Sequence, residues 1–213
     1  TTNGLEQVHV IYRRVDDEFL DPLAFNPASV LGVPGLLTAY RKGNVSIVNA
    51  IGNGVADDKA VYAYVPAMIK YYLNEAPILG NIPTYELGEA DAREHVFKHI
   101  DNMVIKRTNQ SGGYGMIMGN SVPEEEWKKA RMEIEKDPRS FIAQPIIKLS
   151  TVPCFIDGRL QPRHVDLRPY ALCGPNGVQI VPGGLTRVAL KQGSLIVNSS
   201  QGGGSKDTWI VDI

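Results

Sequence analysis

The feature that most constrains the fold is a change of residue pattern at Phe141. Upstream of it, short β-branched runs alternate with helical periodicity at 57–73, 89–100 and 123–136. Downstream, the apolar runs have the length and alternation of strands. Strands are expected at 8–15, 45–50, 103–106, 141–147, 165–172, 178–181, 186–190 and 194–198. Strands at both ends with a helical middle predict an α+β fold whose termini share one sheet.

Composition excludes several classes of function. The 213 residues contain 22 Lys+Arg and 23 Asp+Glu, so no global basic field recruits nucleic acid or an anionic membrane. The apolar runs are far shorter than the ~20 residues that span a bilayer. Cys154 and Cys173 form no CxxC pair, and no secretory leader is visible, so a reducing cytoplasm is expected. The chain begins without Met and is expected to lack an upstream part of the same protein.

The segment 104–119, VIKRTNQSGGYGMIMG, carries the clearest chemical signal. A predicted strand delivers Lys106 to a Gly-rich loop, whose backbone N–H groups can approach phosphate oxygens without obstruction by a Cβ atom. The spacing matches neither a P-loop nor a dinucleotide fingerprint. Two interpretations remain open, a phosphate-binding loop and a Gly-rich hairpin with a surface lysine.

Lys59 lies where the helix predicted at 57–73 begins, directly after two aspartates. The helix dipole disfavours a cation in a first turn, so an anionic ligand would account for a lysine there. A solvent-exposed lysine explains the same position.

The last third holds a second polar group. Asp166 and Arg168 are two residues apart and share one face of a predicted strand. Arg187 and Asn198 lie on the two arms of a predicted hairpin, followed by the glycines 202–204. This arrangement indicates an anion site, and the alternative is a ladder of ion pairs on a solvated face.

The segments 104–119 and 163–207 resemble the ATP-grasp superfamily, in particular a circularly permuted branch related to glutathionylspermidine synthase. In that family two lysines and a Gly-rich lid clamp the phosphates of ATP, and a hinge strand meets the adenine. The resemblance assigns stabilisation of the transferred phosphoryl group to Arg187 and Arg168. It implies that the residues holding ATP are Lys59, Lys106, Ser111, Gly112, Gly113, Gly115, Gln144, Asp166 and Asn198.

The two N-terminal strands resemble the pair that carries the metal ligands in that family. His9 and Ile47 stand where the aspartate and the glutamate of the pair are expected, and Asn49 matches. The ligands expected for Mg²⁺ are Asp16, Asp17 and Asn49. In the alternative interpretation, the two aspartates pair with Arg13 and Arg14.

The resemblance also implies an activity and a domain organisation. The activity is an ATP-dependent carboxylate–amine ligase that works through an acyl phosphate, with ATP and Mg²⁺ as cofactors and small-molecule or peptide substrates. The ATP-grasp sheet, with its permuted strand order, is expected in 1–58 and 146–213, and the nucleotide-covering lobe in 59–145. The alternatives are a silent nucleotide-binding or scaffolding module and a phosphotransferase.

Overall fold

The computed structural model describes residues 2, 4–110, 115–198 and 202–211. It is an α+β fold, as expected. The helices are α1 (Asp17–Leu20), α2 (Leu36–Arg41), α3 (Val61–Leu73), α4 (Ala90–Lys98) and α5 (Glu124–Lys136), with 3₁₀ turns at Asn53–Asp57, Ile100–Asn102 and Pro138–Ser140. The strands are β1 (Val10–Tyr12), β2 (Ser46–Val48), β3 (Tyr85–Glu86), β4 (Met103–Arg107), β5 (Ile117–Met118), β6 (Phe141–Pro145), β7 (Thr151–Ile156), β8 (Arg159–Gly174), β9 (Gly177–Val188) and β10 (Gly204–Trp209).

The N-terminal unit is a parallel pair, β1 and β2, packed on the short helices α1 and α2 that connect the two strands. Leu20, Leu36 and Val45 are buried between these elements. Ile11 and Ile47 are directly paired across the two strands and pack against that cluster. The alternation of the strands therefore turns one face toward a small apolar core.

The central sheet has the order β3-β6-β4-β5, and its neighbouring strands are antiparallel. Successive side chains of β4 point to opposite faces. Ile105 faces helices α4 and α5, and Lys106 faces the other way. The buried members of the main core are Leu87, Val96, Met103, Ile105, Ile134, Phe141 and Ala143. One face of this sheet thus builds the interior, and the other is available for polar contacts.

The third sheet has the order β10-β9-β8-β7 and is antiparallel throughout. Its centre is the long hairpin of β8 and β9. Every residue from 167 to 182, around the tip of this hairpin, is exposed. The base of the hairpin, where Val188 is buried, is the part that lies near the rest of the protein.

Several strand predictions for the C-terminal third are wrong. The segment 194–198 is not a strand, because β8 occupies one edge of β9 and residues 204–209 occupy the other. The strand that pairs with β9 is instead Gly204–Trp209. The strand β7 was not predicted. The run 178–181 and the first part of the run 186–190 belong to one continuous strand, β9, which ends at Val188.

The N-terminal and C-terminal strands do not pair with each other in the described residues. β1 pairs with β2, and β10 pairs with β9. The expectation that the two termini share one sheet is therefore wrong at the level of strand pairing. The division into a core of 1–58 and 146–213 and a covering lobe of 59–145 stays a prediction.

The helix predicted at 57–73 begins later, at Val61, because residues 53–57 form a 3₁₀ turn and the Asp58 carboxylate accepts the N–H of Ala60 at 2.8 Å. No residue of α3 is buried, and the side chains of Tyr71 and Tyr72 are largely exposed. Among the helices that the structure describes, none combines the length and hydropathy needed to cross a membrane.

Candidate functional site

A cavity of about 350 Å³ lies between the polar face of the central sheet and the base of the β8–β9 hairpin. It brings together side chains that are distant in sequence, from Lys59, just before α3, to the segment after β9. Its lining residues are Lys59, Lys106, Arg107, Gln110, Met116, Leu149, Asp166, Arg168, Arg187, Leu195, Ile196, Val197 and Asn198. Six of the residues expected to contact nucleotide or phosphate therefore converge: Lys59, Lys106, Asp166, Arg168, Arg187 and Asn198.

Lys106 projects from β4 into this cavity. Its Nζ donates a hydrogen bond to Gln144 Oε1 on β6 at 2.8 Å. Burial of the half-buried side chain lowers the pKa of Lys106, and the nearby charge of Lys59 lowers it further. The two ammonium groups are thus close enough to repel each other, and an anion placed between them would relieve that repulsion.

Gln144 is buried, and both ends of its amide are engaged. Oε1 accepts from Lys106, and Nε2 donates to Thr84 Oγ1 at 2.9 Å. The side chain is therefore part of a hydrogen-bonded line across β4, β6 and the residue that precedes β3. Its expected role at the adenine hinge stays a prediction.

Lys59 lies just before α3 and faces the segment that leads to the Gly-rich loop. Its backbone N–H donates to the carbonyl of Thr108 at 3.1 Å, and its Nζ donates to the carbonyl of Gln110. Burial lowers the pKa of Lys59, whereas the charges of Asp58 and Asp57 oppose that shift. The lysine does not lie in the first turn of the helix, so the argument from the helix dipole does not apply to it.

Arg187 and Asp166 are directly opposite each other in the β8–β9 ladder. Arg187 Nε donates to Asp166 Oδ1 at 2.8 Å, Nη2 donates to Oδ2, and Nη1 donates to Asn198 Oδ1. The hydrogen bonds from Arg187 hold the pKa of Asp166 below its usual value. Arg187 thus forms an ion pair with Asp166. Such a pair was part of the alternative interpretation from sequence, a ladder of ion pairs.

Arg168 lines the same cavity, two residues from Asp166. Its guanidinium forms no hydrogen bond with the described residues, and its charge contributes, after that of Arg187, to lowering the pKa of Asp166. Lys59, Lys106, Arg168 and Arg187 face a single carboxylate, that of Asp166, within the cavity lining. Arg107 also lines the cavity but forms an ion pair with Glu133 at 2.7 Å. The cavity therefore has a net positive charge and is suited to an anion.

The Gly-rich loop lies partly outside the residues that the structure describes. Ser111, Gly112 and Gly113 lie outside the described residues. Gly115 has φ +65°, and a Cβ at this position would lie 2.7 Å from Gln110 Oε1. The Gln110 side chain can move aside, so it is the positive φ that favours a glycine where the chain leaves the loop, and the closing of this loop over a ligand stays a prediction.

A second and larger cavity, of about 970 Å³, adjoins the first and shares Lys59 and Gln110 with it. It lies at the ends of β1 and β2. The residues that line it are Arg13, Arg14, Val15, Asp16, Asp17, Glu18, Asn49, Asn53, Gly54, Val55, Asp57, Asp58, Lys59, Asn109 and Gln110. All three expected metal ligands, Asp16, Asp17 and Asn49, are in this lining.

Arg13 organises that end of the parallel pair. It is buried, and it donates to Asp17 Oδ1 at 2.5 Å and to the carbonyl of Asn49 at 2.8 Å. The other carboxylate oxygen of Asp17 accepts the N–H of Gly52 at 2.9 Å. The pairing of an arginine with Asp17, which the sequence left as an alternative, is therefore the arrangement observed.

The donors present fit Mg²⁺ only in part. Mg²⁺ is often held by one or two protein oxygen ligands, with phosphate and water completing the shell. Asp16 and Asn49 line the cavity and carry oxygen atoms of the kind that Mg²⁺ binds, whereas Asp17 is engaged by Arg13 and Gly52. Among the described residues no group of three or more His, Cys, Asp or Glu side chains is arranged to hold a metal.

Two residues of the site were not singled out from sequence. Thr84 lies in a Pro-containing connection without helical or strand periodicity, and Gln110 precedes the Gly-rich loop. Both act through backbone or side-chain hydrogen bonds that depend on the tertiary fold. Thr84 directly precedes β3 and lies opposite Gln144. This placement could have identified Thr84 only if the pairing of β3 with β6 had been known.

Comparison with known proteins gives a family match over most of the chain. Residues 1–189 match the model of the family described as circularly permuted ATP-grasp type 2. The chain is 54% identical over 211 residues to an uncharacterized protein of Synechocystis and 56% identical over 211 residues to one of Mycobacterium tuberculosis. It is 47% identical over 204 residues to a Frankia alni protein provisionally named glutamate–cysteine ligase 2-3.

These relatives are longer than the chain. The matched region covers 99% of the chain in the first two comparisons and 96% in the third. It covers 44% of the Synechocystis protein, 38% of the mycobacterial protein and 23% of the Frankia protein. The chain thus spans less than half the length of each.

Proposed function

The chain belongs to the circularly permuted ATP-grasp type 2 family, and from this premise we propose that it forms the nucleotide-binding part of an ATP-dependent carboxylate–amine ligase. The observation that carries the proposal is the convergence of Lys59, Lys106, Arg168 and Arg187 around one cavity. Because four cations and only one carboxylate line this cavity, it favours the binding of a polyanion such as a nucleoside triphosphate.

The two lysines would bind phosphate oxygens. Lys106 Nζ already projects into the cavity, and because an ammonium group has three N–H donors, it can keep its hydrogen bond to Gln144 Oε1 and also donate to a phosphate oxygen. Lys59 holds the carbonyl of Gln110 and so connects the same cavity to the Gly-rich loop. The pKa of each lysine is lowered in the folded protein, and a bound anion would raise both pKa values again.

The phosphoryl transfer would begin with a substrate carboxylate. One carboxylate oxygen bonds to the γ-phosphorus while the bond to the ADP oxygen breaks, giving an acyl phosphate and ADP. An amine then attacks the acyl carbon, inorganic phosphate leaves and the amine proton passes to solvent. Such transfer needs positioning and charge stabilisation more than covalent help, which Arg187 and Arg168 can supply.

The larger cavity supports a two-substrate reaction. It adjoins the smaller cavity across Lys59 and Gln110, so a second molecule there would lie next to the phosphates. Asp16 and Asn49 would hold Mg²⁺, which when bound neutralises phosphate charge. The provisional name of the Frankia relative, a glutamate–cysteine ligase, supports the joining of a carboxylate to an amine.

A silent nucleotide-binding module is the second candidate. The engagement of Asp17 by Arg13 and Gly52 favours it, because one expected metal ligand is then committed to the fold. The replacement of the family's aspartate and glutamate by His9 and Ile47 points the same way.

Trapping of the acyl phosphate separates the two candidates. The protein is incubated with ATP, Mg²⁺ and hydroxylamine against a panel of amino-acid and peptide carboxylates, and hydroxamate and ADP are measured. A ligase gives both products only when its carboxylate is present. The opposite result is that calorimetry detects ATP binding but no carboxylate gives hydroxamate. If this holds both for this chain and for the full-length Synechocystis relative, the silent module is established instead.

A further inference from the structure

The hydroxyl of Thr84 donates one hydrogen bond and accepts another. It is the first group in a row of hydrogen-bonded side chains that continues through Gln144 to Lys106. Its Oγ1 donates to the carbonyl of Ile82 at 3.0 Å and accepts from Gln144 Nε2 at 2.9 Å. A threonine hydroxyl has a single proton. Because the Ile82 carbonyl can only accept, the hydroxyl donates its proton to that carbonyl. The hydroxyl oxygen is therefore the acceptor of the hydrogen bond from Gln144.

The direction of the Gln144 amide follows from this. An amide carries a donor end and an acceptor end, and its orientation is decided by the hydrogen-bond network around it. With Nε2 fixed on Thr84, Oε1 faces Lys106 Nζ at 2.8 Å. In the inverted orientation the amide NH₂ would face an ammonium group, and two donors would meet in a half-buried place.

Strand pairing makes the line continuous. Tyr85 pairs with Ala143 in the antiparallel β3–β6 ladder, so Thr84 lies opposite Gln144. Val104 pairs with Gln144 in the β4–β6 ladder, so Lys106, two residues on, is the diagonal neighbour of Gln144 on the same face. The three polar side chains therefore cross the sheet on the face opposite the main core.

We propose that Thr84 is a positioning residue of the candidate nucleotide site, since its hydroxyl orients the Gln144 amide and thereby holds the Lys106 ammonium toward the cavity. The phosphate-binding role of Lys106 rests on the function proposed above. The control of Lys106 by Thr84 does not rest on it, because the contacts are present without any ligand.

The charges around Lys106 make this acceptor important. Lys59, Arg107, Arg168 and Arg187 are cations of the same cavity lining, and Asp166 is its single carboxylate. Asp166 is already bound by both Nε and Nη2 of Arg187. Gln144 Oε1 is thus the acceptor that Lys106 has among the described residues. Loss of a correctly oriented oxygen would lower the pKa of Lys106 further, because burial and Lys59 already disfavour its charged form.

The first test follows the Lys106 ammonium directly, by nuclear magnetic resonance titration of its ¹³Cε and ¹⁵Nζ signals without nucleotide. Lys106→Arg identifies the signal. Thr84→Val removes the hydroxyl at nearly constant volume and is expected to lower the titration midpoint by about one pH unit. Thr84→Ser keeps the hydroxyl and is expected to keep the wild-type midpoint. An unchanged midpoint in a folded Thr84→Val protein overturns the proposal.

A second variant distinguishes orientation from a general structural effect. Gln144→Glu provides two equivalent acceptor oxygens, so it needs no orienting partner. Thr84→Val is therefore expected to have little effect on Lys106 in the Gln144→Glu background. An equal shift in both backgrounds would show that Thr84 acts through the fold and not through the amide. If Thr84→Val does not fold, Thr84→Ala replaces it in the same cycle.

Calorimetry with ADP and Mg²⁺ then separates this inference from the proposed function. Thr84→Val is expected to weaken ADP binding about tenfold, and Thr84→Ser to leave it unchanged. If the wild-type protein binds no ADP, the proposed function fails, and the titration of Lys106 still decides the role of Thr84. If ADP binds and the titration does not shift, the positioning role alone fails.

Discussion

Lys106 on β4 donates to Gln144 on β6, with 2.8 Å between Nζ and Oε1. The ammonium group therefore meets a neutral oxygen and not a carboxylate. Its charge remains uncompensated in the absence of a ligand, next to a second lysine at position 59. An arrangement of this kind costs stability in the free protein and favours an incoming anion.

Replacement of that ammonium is the direct test of the site. Lys106→Ala is expected to weaken binding of Mg-ADP and of a non-hydrolysable ATP analogue by roughly tenfold to a hundredfold, as expected for a lost hydrogen bond to a charged group. Isothermal calorimetry on folded protein measures the change. Lys129→Ala removes an exposed lysine on α5 and serves as the control. Equal affinity in all three proteins would remove Lys106 from the site.

Arg187 is expected to act in the reaction more than in binding. Arg187→Ala should reduce carboxylate-dependent ADP release about a hundredfold or more, the size seen when one aimed donor is removed from an active site. A coupled assay for ADP measures turnover, and Arg159→Ala, an exposed arginine on β8, is the matched control. A loss of affinity for ATP with unchanged turnover at saturation would assign Arg187 to binding only.

The ion pair between Asp166 and Arg187 predicts that the stability of the protein depends on pH in the acidic range. Because Arg187 lowers the pKa of Asp166 in the folded protein, the pair stabilises above the unfolded-state pKa of about 3.9. This contribution is lost as the pH falls through the lower, folded-state value. Urea unfolding should therefore show wild type more stable than Asp166→Asn at pH 6, with a difference that shrinks below about pH 4. A constant difference across that range would contradict the prediction.

The close approach at Gly119 predicts a local requirement for glycine. A Cβ at this position would lie 1.8 Å from the carbonyl oxygen of Ile100, which is backbone and cannot move aside cheaply. Gly119→Ala is expected to lower the free energy of unfolding by about 2 kcal/mol or more. At Gly80 a Cβ would meet nothing within 4 Å, so Gly80→Ala is the control and should be nearly neutral. Equal melting curves for the two variants would be the opposing result.

The sequence predicted local elements better than their pairing. The strand that carries Lys106 begins with three buried apolar residues, a short apolar run typical of a buried strand, and α5 begins where acidic residues favour a first turn. The segment 194–198 has the residues of a strand, but both edges of β9 are already occupied, by β8 and by β10. Which segment pairs with an edge depends on the tertiary fold and leaves no periodic trace in the sequence.

The site was predicted in its charges and incompletely in its hydrogen bonds. Lys59 and Lys106 carry signals that a single sequence shows, a lysine beside two aspartates and a lysine ahead of a Gly-rich loop. Their meeting with Arg187 in one cavity was expected from the family resemblance, and the structure places all three in its lining. The commitment of Asp17 to Arg13 was one of two open possibilities, because sequence spacing does not show which acceptor a buried guanidinium selects.

The pleat of β4 ties the interior of the protein to its cavity. Ile105 is completely buried and Lys106, its neighbour along the chain, faces the cations. Displacing this strand by a single residue relative to β6 would drive an ammonium group into the apolar interior and leave an isoleucine where an anion is expected. The two faces therefore depend on one alignment, and anyone redesigning the protein for a different ligand must keep that alignment while changing the side chains.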